Sequence, residues 1–287
     1  MIPFNFIRPA SLAEALDFLA ENGERTEIIA GGTDLLVELR GIPAGKKGPK
    51  WVVDISGLPE LKGIREEGEE IIVGSGSTHW EVHTSELIRE TAPLLAAASA
   101  TVGAAQHRNI ATIGGNIMNA SPAADTVPAL IALEASAVLR SREGERVRPL
   151  SGIFVKPYQT DAAPGEILTA VRFRRLPAEA KSAFVKLGRR NALAISRMNA
   201  AVVLFLRDGV ISEARIAPGS ATPMPERFAA AEKILIGQKP SEELFRAAGA
   251  AVAAEMVDRS GRRWSTPYKE PVIAALTARA LREALAG

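Results

Sequence analysis

Two glycine pairs stand out for what they could bind. The first lies in Ala30-Gly31-Gly32-Thr33-Asp34-Leu35, directly after a short apolar run, Glu27-Ile28-Ile29-Ala30, and before a helical stretch, Leu35 to Arg40. Glycine permits positive φ and a close approach of backbone to ligand. Successive free amides at a strand-to-helix turn form an anion nest, reinforced by the start of the following helix. Thr33 adds a hydroxyl donor. The second pair lies in Ala111-Thr112-Ile113-Gly114-Gly115-Asn116-Ile117, continued by Asn119, Ala120, Ser121, Pro122 and Asp125. Glycines, asparagines and a threonine this close together suit loops wrapping a polar, phosphate-bearing ligand better than they suit a core. One such turn alone reads as a plain connector; two of the same make point to a ligand.

Other chemistries find less support. Gly74-Ser75-Gly76-Ser77-Thr78-His79 approaches the dinucleotide fingerprint but lacks its third glycine, and no Gly-Lys-Ser/Thr phosphate loop is present. A nucleotide would be held by another geometry. His79 and His83 have a zinc-compatible spacing, but Glu81 is not where the zinc-protease motif puts its glutamate, and it already reads as a helix cap. No serine sits in a nucleophile elbow. There is no cysteine, so the chain itself offers no disulfide, thiolate metal site or ligated iron–sulfur cluster. Any redox chemistry must use a borrowed cofactor, and neither catalytic nor metal-ligating residues are expected.

The elements that would position these turns are legible. Ser11 with Glu14 and Thr78 with Glu81 are capping boxes. The first starts a helix with Leu12, Ala15, Leu16 and Leu19 on one face, stopped at Asn22-Gly23. Strands are expected at Trp51 to Ile55, in a hairpin about Glu67-Gly68, at Ala135 to Arg140 and at Ile167 to Arg174. Helices are expected over Thr91 to Val102 and Ala123 to Leu133, with an irregular segment from Gly103 to Pro122 between them. Pro177 to Lys181 reads as a connector. Beyond it come strands at Ala183 to Leu187, Ala201 to Arg207 and Val210 to Ala217, the last two joined by the hairpin signal Asp208-Gly209. Helices follow at Glu226 to Ile236, Ser241 to Met256 and Pro267 to Leu285. The class is α+β, with a mixed first domain and then a three-stranded antiparallel sheet backed by helices.

With 287 residues the chain is long enough for roughly two domains. Hydrophobic residues make up 47% and charged residues 24%, which excludes disorder as the main state. The net charge of +2, from 35 basic and 33 acidic residues, makes no nucleic-acid footprint. The densest basic stretch, Arg259 to Arg263, reads as a solvated helix terminus or loop. No apolar run reaches the ~18 residues of a membrane span. No secretory pattern opens the sequence, and the expected address is the cytoplasm.

The paired turns, in this order and about eighty residues apart, resemble the two FAD signatures of the medium, flavin-binding subunit of molybdenum hydroxylases. This is the family of xanthine dehydrogenase and aerobic carbon monoxide dehydrogenase. The likeness continues in Lys186-Leu187-Gly188-Arg189-Arg190 through Ala194-Ile195-Ser196, in Ala217-Pro218-Gly219-Ser220-Ala221-Thr222-Pro223, and in Tyr268-Lys269, covering essentially the whole chain. It implies an FAD-binding domain of the vanillyl-alcohol-oxidase (PCMH) type over 1–176, in two α/β subdomains at roughly 1–56 and 57–176, and a smaller flavoprotein domain over 177–287. It implies that Ile28, Ile29, Ala30, Gly31, Gly32, Thr33, Asp34 and Leu35 wrap the FAD pyrophosphate. Ala111, Thr112, Ile113, Gly114, Gly115, Asn116, Asn119 and Asp125 would meet the remaining phosphate, ribose and ring edge, and Val102 the adenine end. Ile195 would approach the isoalloxazine. Leu193 stands where relatives of the carbon monoxide type put a tyrosine over the ring.

The resemblance further implies a heterotrimer, arranged as a dimer of trimers. A large molybdopterin subunit and a small subunit with two two-iron two-sulfur clusters would feed electrons to FAD here, which passes them to an outside acceptor: a nicotinamide cofactor, oxygen or a quinone. Two departures bear on that acceptor. His107 precedes Arg108-Asn109 in place of an aliphatic residue, and Asn191-Ala192 replace the acidic residues of xanthine dehydrogenase-type relatives. Two alternatives stay open: a free-standing FAD-dependent oxidase or reductase, and a non-enzymatic nucleotide-binding scaffold.

Overall fold

The computed structural model describes residues 3–43, 48–190 and 193–286. The chain opens with β1 (Asn5–Ile7), α1 (Leu12–Asn22), β2 (Thr26–Ile29), α2 (Leu35–Gly41) and β3 (Trp51–Asp54). These three strands form a parallel sheet in the order β1-β3-β2. α1 starts where its cap predicts, with the Ser11 hydroxyl accepting from the Glu14 amide at 3.2 Å. The Glu14 carboxylate reaches back one residue further than a capping box requires, to the Ala10 amide at 2.7 Å. The α1 stripe packs with Val53, Leu58, Leu61 and Ile167 into a small core. β1 has no sequence signature, because three residues are too few to show a period.

A second unit follows: β4 (Ile64–Glu67), β5 (Glu70–Gly74), α3 (His79–Thr84), α4 (Glu86–Thr91), α5 (Pro93–Ala100), α6 (Ala105–Arg108), α7 (Ile113–Met118), α8 (Thr126–Ala132), β6 (Ser136–Ser141), β7 (Gly144–Pro149), β8 (Phe154–Lys156), β9 (Gln159–Thr160) and β10 (Ile167–Arg174). Five of its strands make an antiparallel sheet, β4-β5-β10-β6-β7. The helix expected from Thr91 to Val102 begins only at Pro93, and Thr91 closes a separate α4. Proline has no amide to continue the ladder but suits a first helical turn. The segment from Gly103 to Pro122 also departs from expectation. It holds two short helices, α6 and α7, because Ile113 and Ile117 are fully buried and hold the glycine-rich turn in helical form.

The last unit comprises β11 (Ala180–Leu187), β12 (Met198–Arg207), β13 (Val210–Gly219), α9 (Ala229–Leu235), α10 (Glu242–Ser260) and α11 (Thr266–Ala286). The three strands are antiparallel in sequence order. Asp208 and Gly209 have φ of 53° and 74°, the positive pair that a type I′ hairpin needs. β12 is covered on both faces. Ala200, Val202 and Leu204 join the core under α10 and α11, while Ala201 and Val203 join the core of the five-stranded unit. That double burial explains its unbroken apolar run.

Candidate functional site

The first glycine turn leaves β2 and enters α2. The amides of Gly31, Gly32, Thr33 and Asp34 donate to no acceptor among the described residues, and the turn is only partly buried. Two of its carbonyls are engaged: Gly32 accepts from the Leu36 amide at 3.2 Å and Asp34 from the Val37 amide at 2.9 Å. A run of unpaired backbone amides at a partly exposed turn is what an anion nest requires. The Thr33 hydroxyl donates to the Asp34 carboxylate at 3.3 Å. Gly32 sits at φ +69°. Gly31 is required for a different reason: a Cβ there would lie 2.1 Å from the Ile110 carbonyl oxygen and 2.8 Å from the Ala111 Cα. The two glycine motifs are therefore in backbone contact.

The second motif is not a copy of the first. Thr112 caps α7, its hydroxyl accepting from the Gly115 amide at 3.0 Å. The Ile113 amide donates to the Ser77 carbonyl (2.9 Å), the Gly114 amide to the Ser75 carbonyl (2.8 Å) and the Asn116 amide to the Thr112 carbonyl (3.0 Å). The expectation of two open turns of the same make is corrected here: these amides are already used in docking α7 onto the chain after β5. Gly114 is required by that docking, since a Cβ would sit 2.6 Å from the Ser75 Cβ. Towards solvent the motif offers exposed Gly115 and half-buried Asn116 and Asn119, with the Asn116 side-chain oxygen accepting from the Thr126 hydroxyl at 2.7 Å. Ala111, Thr112 and Ile113 are buried beneath. The stretch Gly74 to His79, no dinucleotide fingerprint, is the platform for this motif, and both Gly74 and Gly76 press on the Leu61 carbonyl.

Three further groups border the turns. The Arg108 guanidinium donates to the carbonyls of Val102 (3.1 Å) and Gly103 (3.0 Å), fixing the half-buried Val102 turn. Asp125 is buried, and its carboxylate is taken by the Lys186 ammonium at 2.6 Å and by the Asn199 amide group at 3.3 Å. Burial pushes the Asp125 carboxyl up, against the opposing pull of Lys186. Lys186 also donates to the Thr101 carbonyl at 2.9 Å, so one side chain of β11 ties together the segments next to Val102 and at Asp125. The residue types gave no hint of this clamp, because its three members are far apart in sequence. Across the same boundary Leu193 (φ 53°) and Ile195 stand exposed, and the Leu193 carbonyl accepts from the Arg190 guanidinium at 2.6 Å. Asn191-Ala192 lie outside the described residues. His79 is buried with neither ring nitrogen hydrogen-bonded, while the His83 ring meets the Ala96 carbonyl at 3.2 Å.

Residues 2–176 match the family described as the FAD binding domain in molybdopterin dehydrogenase, and residues 182–284 the CO dehydrogenase flavoprotein C-terminal domain. The chain belongs to the FAD-binding subunits of the molybdenum hydroxylases. It is 30% identical to the glyceraldehyde dehydrogenase medium chain of Sulfolobus acidocaldarius, covering 98% of both chains. It is 32% identical to the xanthine dehydrogenase FAD-binding subunit of Escherichia coli O157:H7, covering 98% of this chain and 96% of that one. A solved carbon monoxide dehydrogenase of Hydrogenophaga pseudoflava, lacking the Mo-pyranopterin moiety of its cofactor, superposes with a TM-score of 0.91 at 31% identity over 100% of this chain and 99% of that one.

As a flavoprotein subunit of this family the chain has FAD for its cofactor and forms part of an oxidoreductase. The geometry fits that cofactor: unpaired amides for a diphosphate lie against a motif that presents glycine and asparagine to solvent. No helix among the described residues is long and apolar enough to cross a membrane.

Proposed function

We propose that this chain is the electron outlet of a heterotrimeric, cytoplasmic molybdenum hydroxylase, assembled as a dimer of trimers. In it a large molybdopterin subunit oxidises the substrate, and a small subunit with two two-iron two-sulfur clusters conducts the electrons here. FAD, when bound, supplies the two-electron redox chemistry that no side chain of this cysteine-free chain offers. The chain's own residues bind and orient. The amides of Gly31 to Asp34 hold the diphosphate, with Ile28, Ile29, Ala30 and Leu35 setting their direction. Gly115, Asn116 and Asn119 line the next part of the cofactor, held in place from beneath by Thr112 and Gly114, with Val102 at its adenine end and Leu193 and Ile195 at its ring. Asp125 acts through Lys186, holding the 177–287 domain against the 1–176 domain so that ring-side and phosphate-side residues keep their spacing. The observation that carries this reading is the run of unpaired amides at Gly31 to Asp34 pressed onto Ile110 and Ala111. Co-expression with the two partner chains tests it. A yellow complex that releases FAD on denaturation and is bleached by the complex's substrate is expected. A colourless chain that leaves the complex without altering its turnover would overturn the reading.

A further inference from the structure

Phosphate sites commonly join backbone amides to a cation, yet neither glycine motif contains one. Across residues 28–35 and 92–119, Arg108 is the sole lysine or arginine. Lys186 borders the motifs, but the Asp125 carboxylate takes its ammonium at 2.6 Å. Arg108 closes α6 and is half-buried. Its Nη1 donates to the carbonyls of Val102 at 3.1 Å and Gly103 at 3.0 Å. Its Nε is buried without an acceptor, and no carboxylate pairs with the guanidinium among the described residues. The titratable group that feels it is His79, whose ring is buried with both nitrogens unpaired. Burial first, then the Arg108 charge, holds that imidazole neutral at pH 7. The backbone carries Arg108 to the first turn. The amides of Ile110 and Ala111 both donate to the His107 carbonyl, at 3.1 and 2.7 Å, and the Ile110 carbonyl is the one on which Gly31 is pressed.

We propose that Arg108 is a positioning residue for FAD, latching the Val102–Gly103 turn and supplying the positive charge that draws the diphosphate onto the amides of Gly31 to Asp34. The proposal rests on the reading of those amides as the diphosphate site. A half-buried cation with carbonyl dipoles alone for company is costly to keep. The two carbonyls call for donors, which a neutral side-chain amide has as well. They do not call for a charge. An anionic diphosphate does, and the neutral His79 leaves the guanidinium's charge uncancelled for it. A unit charge acts over distances of this order without touching its partner, and salt weakens that action. The latch and the charge are therefore separable: the first depends on the forked donor group, the second on ionic strength.

The test titrates the full complex, freed of its flavin, with FAD and follows the change in flavin fluorescence at salt from about 0.05 M to about 0.5 M. It compares wild type, Arg108→Gln and Arg108→Lys. Glutamine keeps a donor and removes the charge; lysine keeps the charge and loses the fork. Arg108→Gln is expected to raise the Kd for FAD about tenfold at low salt, with the gap closing to about threefold or less at high salt. Arg108→Lys should bind more weakly than wild type but lose affinity with salt as steeply. A glutamine variant with the salt dependence of the wild type would overturn the charge role and leave the FAD reading intact. Should melting temperatures show that neither variant folds, the wild type alone decides: its own affinity must fall by about threefold or more across the salt range, and a flat response would overturn the proposal. A wild-type complex that takes up no FAD at any salt would overturn both the proposal and the reading beneath it.

Discussion

At Gly31 the backbone of one motif lies on the backbone of the other, and a side chain has nowhere to go. Gly31→Ala must push the turn off the Ile110 carbonyl, which lies 2.1 Å from the added carbon. The variant should lose FAD and about 1–3 kcal/mol of stability, as overpacked sites do. Flavin content and urea melts measure both, and wild-type values in each would show that the contact is dispensable. That glycines belonged here was legible from their place between strand and helix. That only the first pair keeps its amides free was not, since the acceptors at Ser75 and Ser77 lie almost forty residues upstream of the second pair. His79 shares only a zinc-compatible spacing with His83, and the structure buries its imidazole with neither ring nitrogen hydrogen-bonded. Burial first, then the nearby Arg108 charge, pushes its pKa down from 6.5 to about 4. The unfolded chain therefore binds the proton more readily between those values. The stability due to the neutral ring is complete above pH ~6.5 and falls away towards pH ~4, by about 3 kcal/mol. His79→Phe should flatten that acid limb when urea midpoints are compared from pH 7 down to pH ~4.5. Parallel curves for the two proteins would remove the assignment.

Local signals acting within a few residues explain most of the elements. The box at Thr78 forms in full: its hydroxyl accepts from the Glu81 amide at 3.2 Å, and the Glu81 carboxylate accepts from the Thr78 amide at 2.7 Å. Thr78→Ala should lower stability by about 1 kcal/mol, read as a shift in the urea midpoint, and an unchanged midpoint would mean that tertiary packing alone sets the start of α3. The same logic made the Asp208-Gly209 hairpin and the β10 strand readable. It fails where tertiary partners override propensity. α7 is helical despite two glycines because Ile113 and Ile117 are driven into the core, and β1 exists only because β3 offers it an edge. The alternation along β12 is hidden in the sequence, since residues facing either side are equally apolar. Only the structure divides them between two cores.

For the molecule as a whole, the Lys186–Asp125 ion pair is one of several polar links between the two domains next to the site. Both side chains are almost fully buried. Lys186→Met leaves a buried carboxyl without its cation and should cost about 3–5 kcal/mol, while adding Asp125→Asn should recover most of that, as removal of a whole buried pair usually does. Thermal and urea unfolding of the two variants measure the difference, and equal losses in both would mean that the charges do not interact. The sequence showed that two domains of these classes follow one another, and the motifs that carry the family resemblance run through both. It did not show that the second domain reaches back to brace the first, because the residues involved signal nothing until they meet. The central claim is that the open amides of Gly31 to Asp34 hold the FAD diphosphate. A crystal structure of the complex with FAD bound tests this most directly. The account predicts diphosphate oxygens within hydrogen-bonding reach of those amides; a diphosphate lodged elsewhere, with the four amides facing only water, would contradict it.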